Sequence, residues 1–224
     1  MSHYEIEIKS LLGTKEKAED LVAAMLEIDP DIKVIGESCQ LNHYFIGGSI
    51  HELYKKVEHL FSGHQHDKFK MIIEKGKDFS VRTRQKDEEI LLVIKASLDG
   101  GTSSNSVSRM EFEEAVSVAL AELDKLVELS GYSYEAKWSR ERVEYSYRDI
   151  VVCLDKNAGY GYLAEFEVVT DDEASLPAVK EKLITLMKEL NVEELSQDRL
   201  ARMFAYYNEH WPDYYGTEKT FTVE

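Results

Sequence analysis

Glu5, Glu7 and Lys9 stand two residues apart, with Tyr4, Ile6 and Ile8 interleaved. On a β-strand, side chains two apart share a face. This stretch therefore presents carboxylates and an ammonium on one side and apolar groups on the other. The same spacing returns along the chain: Arg82 with Arg84, and Arg109, Glu111 and Glu113 opposite Met110 and Phe112. Arg140, Arg142 and Glu144 follow, then Glu165 and Glu167 opposite Phe166 and Val168. Lys95 closes the apolar run Leu91 to Ile94, and Asp155 closes Ile150 to Leu154. One such strand is the ordinary pattern of a sheet with a wet face. Its repetition across the chain lets the apolar faces pack on helices and the charged faces converge. Lys9, Arg82, Arg84, Lys95, Arg109, Arg140 and Arg142 offer more positive charge than a single carboxylate ligand needs. They suit a polyphosphate, whose oxygens accept from guanidinium forks in pairs and from lysine as a point charge. Glu5, Glu7, Asp155, Glu165 and Glu167 suit a hard divalent cation, Mg2+ or Mn2+, which takes oxygen ligands. Together these sets are a layout for metal-assisted phosphoryl or nucleotidyl transfer.

The elements that must position these groups read as α+β. Strands are expected over 4–9, 32–46, 69–75, 79–86, 89–96, 107–115, 133–147, 149–155 and 162–169. Helices are expected over 15–28, capped by Thr14, and over 50–61, 116–129, 175–190 and 197–207. Ser62 to Lys68 and the Gly- and Ser-rich Asp99 to Ser106 read as loops. A closed antiparallel β-barrel accommodates so many charged strand faces, because closure removes edges and turns those faces inward. The expectation is one domain over 1–210, an antiparallel closed barrel of about eight strands with flanking helices, and a tail over 211–224.

The chain has 224 residues, with 27 Lys plus Arg against 43 Asp plus Glu, a net charge of −16. That balance argues against general duplex nucleic-acid binding, which depends on cationic surface. It leaves room for a small anionic ligand in a locally basic cavity. No signal peptide or membrane span is visible, and two cysteines make no disulfide framework. A cytoplasmic protein and a possible homodimer are expected, with Cys39 and Cys153 as small buried groups. His59, His64 and His66 match no standard metal spacing and read as part of a polar loop. The aromatic C-terminal residues Tyr206, Tyr207, Trp211, Tyr214 and Tyr215 read as packing groups.

The ordered set of motifs resembles the CYTH superfamily, the triphosphate tunnel metalloenzymes. Glu5-Ile6-Glu7-Ile8-Lys9 is similar to its ExExK signature, and Arg82-Thr83-Arg84 to its RxR strand. Arg109 to Glu113, Arg140-Glu141-Arg142 and Glu165-Phe166-Glu167 resemble the later strands in the same order. The resemblance runs from about residue 3 to 208. It implies an eight-stranded antiparallel tunnel that binds a triphosphate with a divalent metal. By matched position it implies Lys9, Arg82, Arg84, Lys95, Arg109 and Arg142 as phosphate ligands, with Arg140 on the same basic strand. Glu5, Glu7, Asp155, Glu165 and Glu167 would bind metal, and Lys9, Glu111 and Glu113 would act in catalysis or orient the basic residues.

Three functions follow from such a site. A triphosphatase would hydrolyse tripolyphosphate, thiamine triphosphate or a nucleoside triphosphate. A class IV adenylyl cyclase would turn ATP into cyclic AMP and pyrophosphate. A non-catalytic module would only bind polyphosphate. Hydrolysis is favoured because it needs only a positioned water. The carboxylate pairs argue against a pure anion binder, which gains nothing from them without metal.

Overall fold

A computed structural model describes residues 4–97, 109–170 and 172–223, with backbone alone for Tyr4, Glu5, Arg109 and Glu173. The loop expected over 99–106 lies outside the described residues. The chain order is β1 (Tyr4–Gly13), α1 (Lys15–Ile28), β2 (Lys33–Gly47), α2 (Ile50–Val57), α3 (His64–Lys75), β3 (Lys77–Lys86) and β4 (Glu89–Ser97). It continues with β5 (Arg109–Val116), α4 (Leu120–Glu128), β6 (Tyr132–Tyr147), β7 (Ile150–Asn157), β8 (Gly161–Thr170), α5 (Leu176–Glu189) and α6 (Gln197–His210). The eight strands form one antiparallel sheet in the order β1-β8-β7-β6-β2-β3-β4-β5. β1 and β5 end that order, and among the described residues no ladder joins them. The closure expected from the charged faces is therefore not made by backbone hydrogen bonds.

The chain divides into two compact units, Met1–Cys39 with Ser139–Glu224, and Gln40–Trp138. In the first unit, α1 begins at Thr14, whose side chain accepts from the Lys17 amide. Its buried Ala18, Leu21 and Met25 join Leu183, Leu186 and Met187 of α5. Both helices cover Ile8 of β1, Val152 of β7, and Ala164 and Phe166 of β8. These are the apolar halves of the alternating strands, so the charged halves lie on the opposite face.

In the second unit, α2, α3 and α4 bury Leu53, Val57, Phe69, Ile72, Leu123 and Val127 against Phe45, Val81, Leu92, Ile94 and Phe112. Here one expectation fails. Residues 69–75 are not a strand but the second half of α3, and His64 to Lys68 are its first turns rather than a loop. Phe69 and Ile72, three apart, are buried, while Met71 between them is 40% exposed. A short apolar run fits either period, and here packing against Phe61 and Phe112 selected the helical one. The histidines called a loop are thus partly helical, and His66 Nδ1 lies 3.0 Å from the Tyr54 hydroxyl. Cys39 is exposed, contrary to expectation, while Cys153 is buried as expected. The aromatic C-terminal residues do pack: Phe221 rests against the rings of Tyr160, Tyr206 and Tyr214.

Gly161 opens β8 at φ +72°, and a Cβ there would collide with the Gly13 carbonyl oxygen. Both obstacles are backbone, so neither can swing aside. Gly161→Ala is expected to destabilise the protein by at least about 2 kcal/mol. Its thermal midpoint against the parent chain checks this.

Candidate functional site

In the first unit the charged faces of β1, β6, β7 and β8 are brought side by side by their register. Glu7 stands opposite Glu167 and Lys9 opposite Glu165. Glu165 stands opposite Cys153, and Asp155 opposite Arg142. The groups are linked. Lys9 Nζ lies 2.6 Å from Glu7 Oε1 and 3.1 Å from Glu165 Oε1. Arg142 Nε and Nη2 donate to the two oxygens of Asp155 at 2.7 Å each. Arg142 Nη2 also donates to Glu165, and its Nη1 is 3.9 Å from Glu167 Oε1. Arg140 Nη1 donates to Asp155 Oδ2 at 2.9 Å.

Burial alone would push the Glu165 carboxyl up, but Lys9, Arg142 and Arg140 hold it down at about 2. Burial would likewise lower the Lys9 ammonium, but Glu165 and Glu7 hold it above its usual value. Both groups are therefore charged around neutral pH. Burial is the main reason the Cys153 thiol, in the midst of Glu165, Glu167 and Asp155, is held above its usual value. It is an unreactive thiol under these conditions.

Glu7, Glu165 and Glu167 can each offer an oxygen within 4.8 Å of the others. Three hard anionic donors at this separation fit a divalent cation such as Mg2+ or Mn2+. Asp155 and Glu5, expected beside them as metal ligands, stand differently. Asp155 is 1% exposed and spends both oxygens on arginine. Glu5 is placed on β1 opposite Val169, and its side chain lies outside the described residues.

In the second unit, Arg82 and Arg84 share a face of β3 as expected. Arg84 Nε donates to Asn42 Oδ1 at 2.6 Å and Nη1 to Glu113 Oε1 at 2.8 Å. Lys95 lies 3.1 Å from Glu111. The Arg82 guanidinium sits 4.4 Å from the centre of the Tyr44 ring. Arg109 stands opposite Ser97 in the backbone, and its side chain lies outside the described residues. Asn42 and Tyr44 are the residues that sequence reasoning missed. Their signal was present: they are two apart on β2 and pair with Arg84 and Arg82. The polar side chains within the strand expected over 32–46 are partners of the arginines.

A second polar group lies on the helix side of this unit. Asp124 of α4 accepts from Thr83 at 2.5 Å and from the Tyr134 hydroxyl at 2.8 Å, and lies 2.7 Å from His43 Nδ1. His43 and Asp124 are both buried. Burial would raise the Asp124 carboxyl, but His43, Thr83 and Tyr134 hold it below the ordinary value. A carboxyl depressed in the folded state contributes stability fully above about pH 4, the unfolded value, and loses it as pH falls through the lowered value. Asp124→Asn is expected to cost about 2–3 kcal/mol at pH 7 and less at pH 3. Denaturant midpoints at the two pH values check it.

An eight-stranded antiparallel sheet with helices on its apolar faces, and cations braced by carboxylates on its polar faces, defines the class. The model of the CYTH domain matches residues 73–201, more than half of the chain and parts of both units. The chain belongs to the CYTH domain family. Solved structures share the fold. A conserved hypothetical protein from Pyrococcus furiosus is 17% identical, with a TM-score of 0.58 over 87% of this chain and 98% of that one. A candidate adenylate cyclase from Vibrio parahaemolyticus is 16% identical, with a TM-score of 0.57 over 90% and 99%. A protein from Hippeastrum, described as a candidate adenylyl cyclase with a dominant triphosphatase activity, is 17% identical, with a TM-score of 0.52 over 91% and 96%. No curated protein matches the sequence. No helix among the described residues is long and apolar enough to cross a membrane.

Proposed function

We propose that this protein is a metal-dependent hydrolase of a triphosphate. The observation that carries the reading is one linked group on β1, β6, β7 and β8: Lys9, Arg140 and Arg142 beside Glu7, Glu165 and Glu167. Family membership supports it. We also propose residues 1–210 as one domain whose strands complete the closed barrel; family membership supports this, though among the described residues no ladder joins β1 to β5.

The chain's own residues divide the work. Lys9, Arg140 and Arg142, with Arg82, Arg84, Lys95 and Arg109, bind phosphate oxygens. Glu7, Glu165 and Glu167 would hold Mg2+ or Mn2+, and Glu5 precedes them on β1. A divalent cation there would stabilise charge on the phosphoryl oxygens as a Lewis acid. Asp155 orients the guanidiniums of Arg140 and Arg142. Glu113 and Glu111 do the same for Arg84 and Lys95, a positioning role rather than a direct one. Water attacks the terminal phosphorus, a new P–O bond forms, the bridging P–O bond breaks, and a proton passes to solvent.

The test is phosphate release from tripolyphosphate, thiamine triphosphate and ATP, with Mg2+, Mn2+ or EDTA. Release that requires the metal is expected. Cyclic AMP and pyrophosphate from ATP would assign the cyclase reaction instead. Tight binding without turnover would leave only a binding module.

A further inference from the structure

Resting on that reading, we propose that Lys9 is an exchangeable counter-ion that couples metal binding to triphosphate binding. Its ammonium lies on two of the three carboxylates that can hold a cation, Glu7 and Glu165. Lys9 must turn away from these oxygens before they can take a divalent cation fully. The direction open to it is toward an anion, because its charge then needs a new partner.

The charge balance of the linked group points the same way. Lys9, Arg140 and Arg142 face Glu7, Asp155, Glu165 and Glu167, three positive charges against four negative. Without metal this group is net negative and every cation in it is already paired, so it offers a triphosphate little attraction. One divalent charge on the carboxylates reverses the sign and frees Lys9. The carboxylates thus load first, and the triphosphate affinity rises as a consequence. Linkage makes the coupling reciprocal: the triphosphate tightens the metal by the same factor.

Arg142 also reaches Glu165 and Glu167, but unlike Lys9 it has an anchor outside the cation site. Asp155 holds its Nε and one Nη, and that carboxylate lies outside the group that can hold the cation. Among the described residues, Lys9 is the cation whose ion pairs are all with prospective metal ligands.

Titration calorimetry tests the proposal with Mn2+ alone, tripolyphosphate alone in EDTA, and tripolyphosphate at saturating Mn2+. The parent chain is compared with Lys9→Gln. In the parent, Mn2+ should tighten tripolyphosphate by about tenfold or more. In Lys9→Gln that ratio should shrink at least severalfold, while Mn2+ alone binds more tightly. The complex that Mn2+ and tripolyphosphate form in solution is common to both proteins and cancels in the comparison. A uniform loss of tripolyphosphate affinity with the ratio unchanged would make Lys9 a phosphate contact only and overturn the proposal, while the hydrolase reading stands. No tripolyphosphate binding by the parent in any state would sink both. A crystal structure of the parent chain with Mn2+ alone gives a second readout that needs no variant. Lys9 should then lie beyond hydrogen-bond reach of Glu7 and Glu165, and an ammonium still seated on both would refute the exchange.

Discussion

Asp155→Ala is expected to destabilise the protein by about 3–5 kcal/mol and to weaken tripolyphosphate binding at least tenfold. Asp155 is 1% exposed and takes three hydrogen bonds from two arginines. Taking it away strands Arg142, which is 10% exposed, beside a single remaining close partner, Glu165. The paired geometry is also lost. A guanidinium held by a two-point fork presents its remaining N–H groups in a fixed direction, and an untethered one does not. The loss should therefore fall on KM more than on kcat. It should also fall on tripolyphosphate affinity more than on Mn2+ affinity, because Asp155 braces arginine. A metal-ligand role, expected from the family resemblance, would reverse that order. Urea unfolding and two calorimetric titrations distinguish the outcomes. An Asp155→Asn variant, which keeps the shape and one of the two acceptor oxygens, should recover part of the stability.

The second large effect concerns activity without stability. Glu7→Gln combined with Glu167→Gln should lower metal-dependent phosphate release by about 10²- to 10³-fold, the scale of losing a principal charge-stabilising group. The fold should barely change. The Glu7 side chain is 39% exposed, where pairs contribute about 0–1 kcal/mol, and half-buried Glu167 lies a loose 3.9 Å from Arg142. Glu165 remains to pair with Lys9 and Arg142, so no buried cation is left alone. Phosphate release and the thermal midpoint, measured on one preparation, give both numbers. Full turnover in this variant would remove the metal assignment, and a collapsed midpoint would show that the pair is structural.

The chain's net charge of −16 takes its meaning from this arrangement. An acidic total leaves room for basic residues at alternate strand positions. In each unit these are not a bare basic patch: each cation described touches a carboxylate, an amide oxygen or an aromatic ring. On the function proposed above, triphosphate binding to such a surface would be an exchange of partners, and metal would condition affinity as well as chemistry.

Much of this was legible in the sequence because the relevant distances are local. A period of two assigns each strand residue to a face whatever the strand pairs with, so the charged faces of β1, β3, β5, β6 and β8 could be read directly. Asp155, expected as a metal ligand, instead pairs with Arg142 across a hairpin of 13 residues, a partner set by the register of β6 on β7. The helix at 64–75 was not legible, since FKMIIEK satisfies both periods and only packing on Phe61 and Phe112 separates them. Lys9 on Glu165, 156 residues away, was also beyond reach. That contact depends on the antiparallel register of β1 against β8, and a slip by one residue would turn the other face to the site. Residue type and a period of two suffice to say which side chains share a charged face. Their partners are a matter of three-dimensional pairing, because strand register sets which charges meet. That is why Asp155 braces arginine while Glu7, Glu165 and Glu167 cluster.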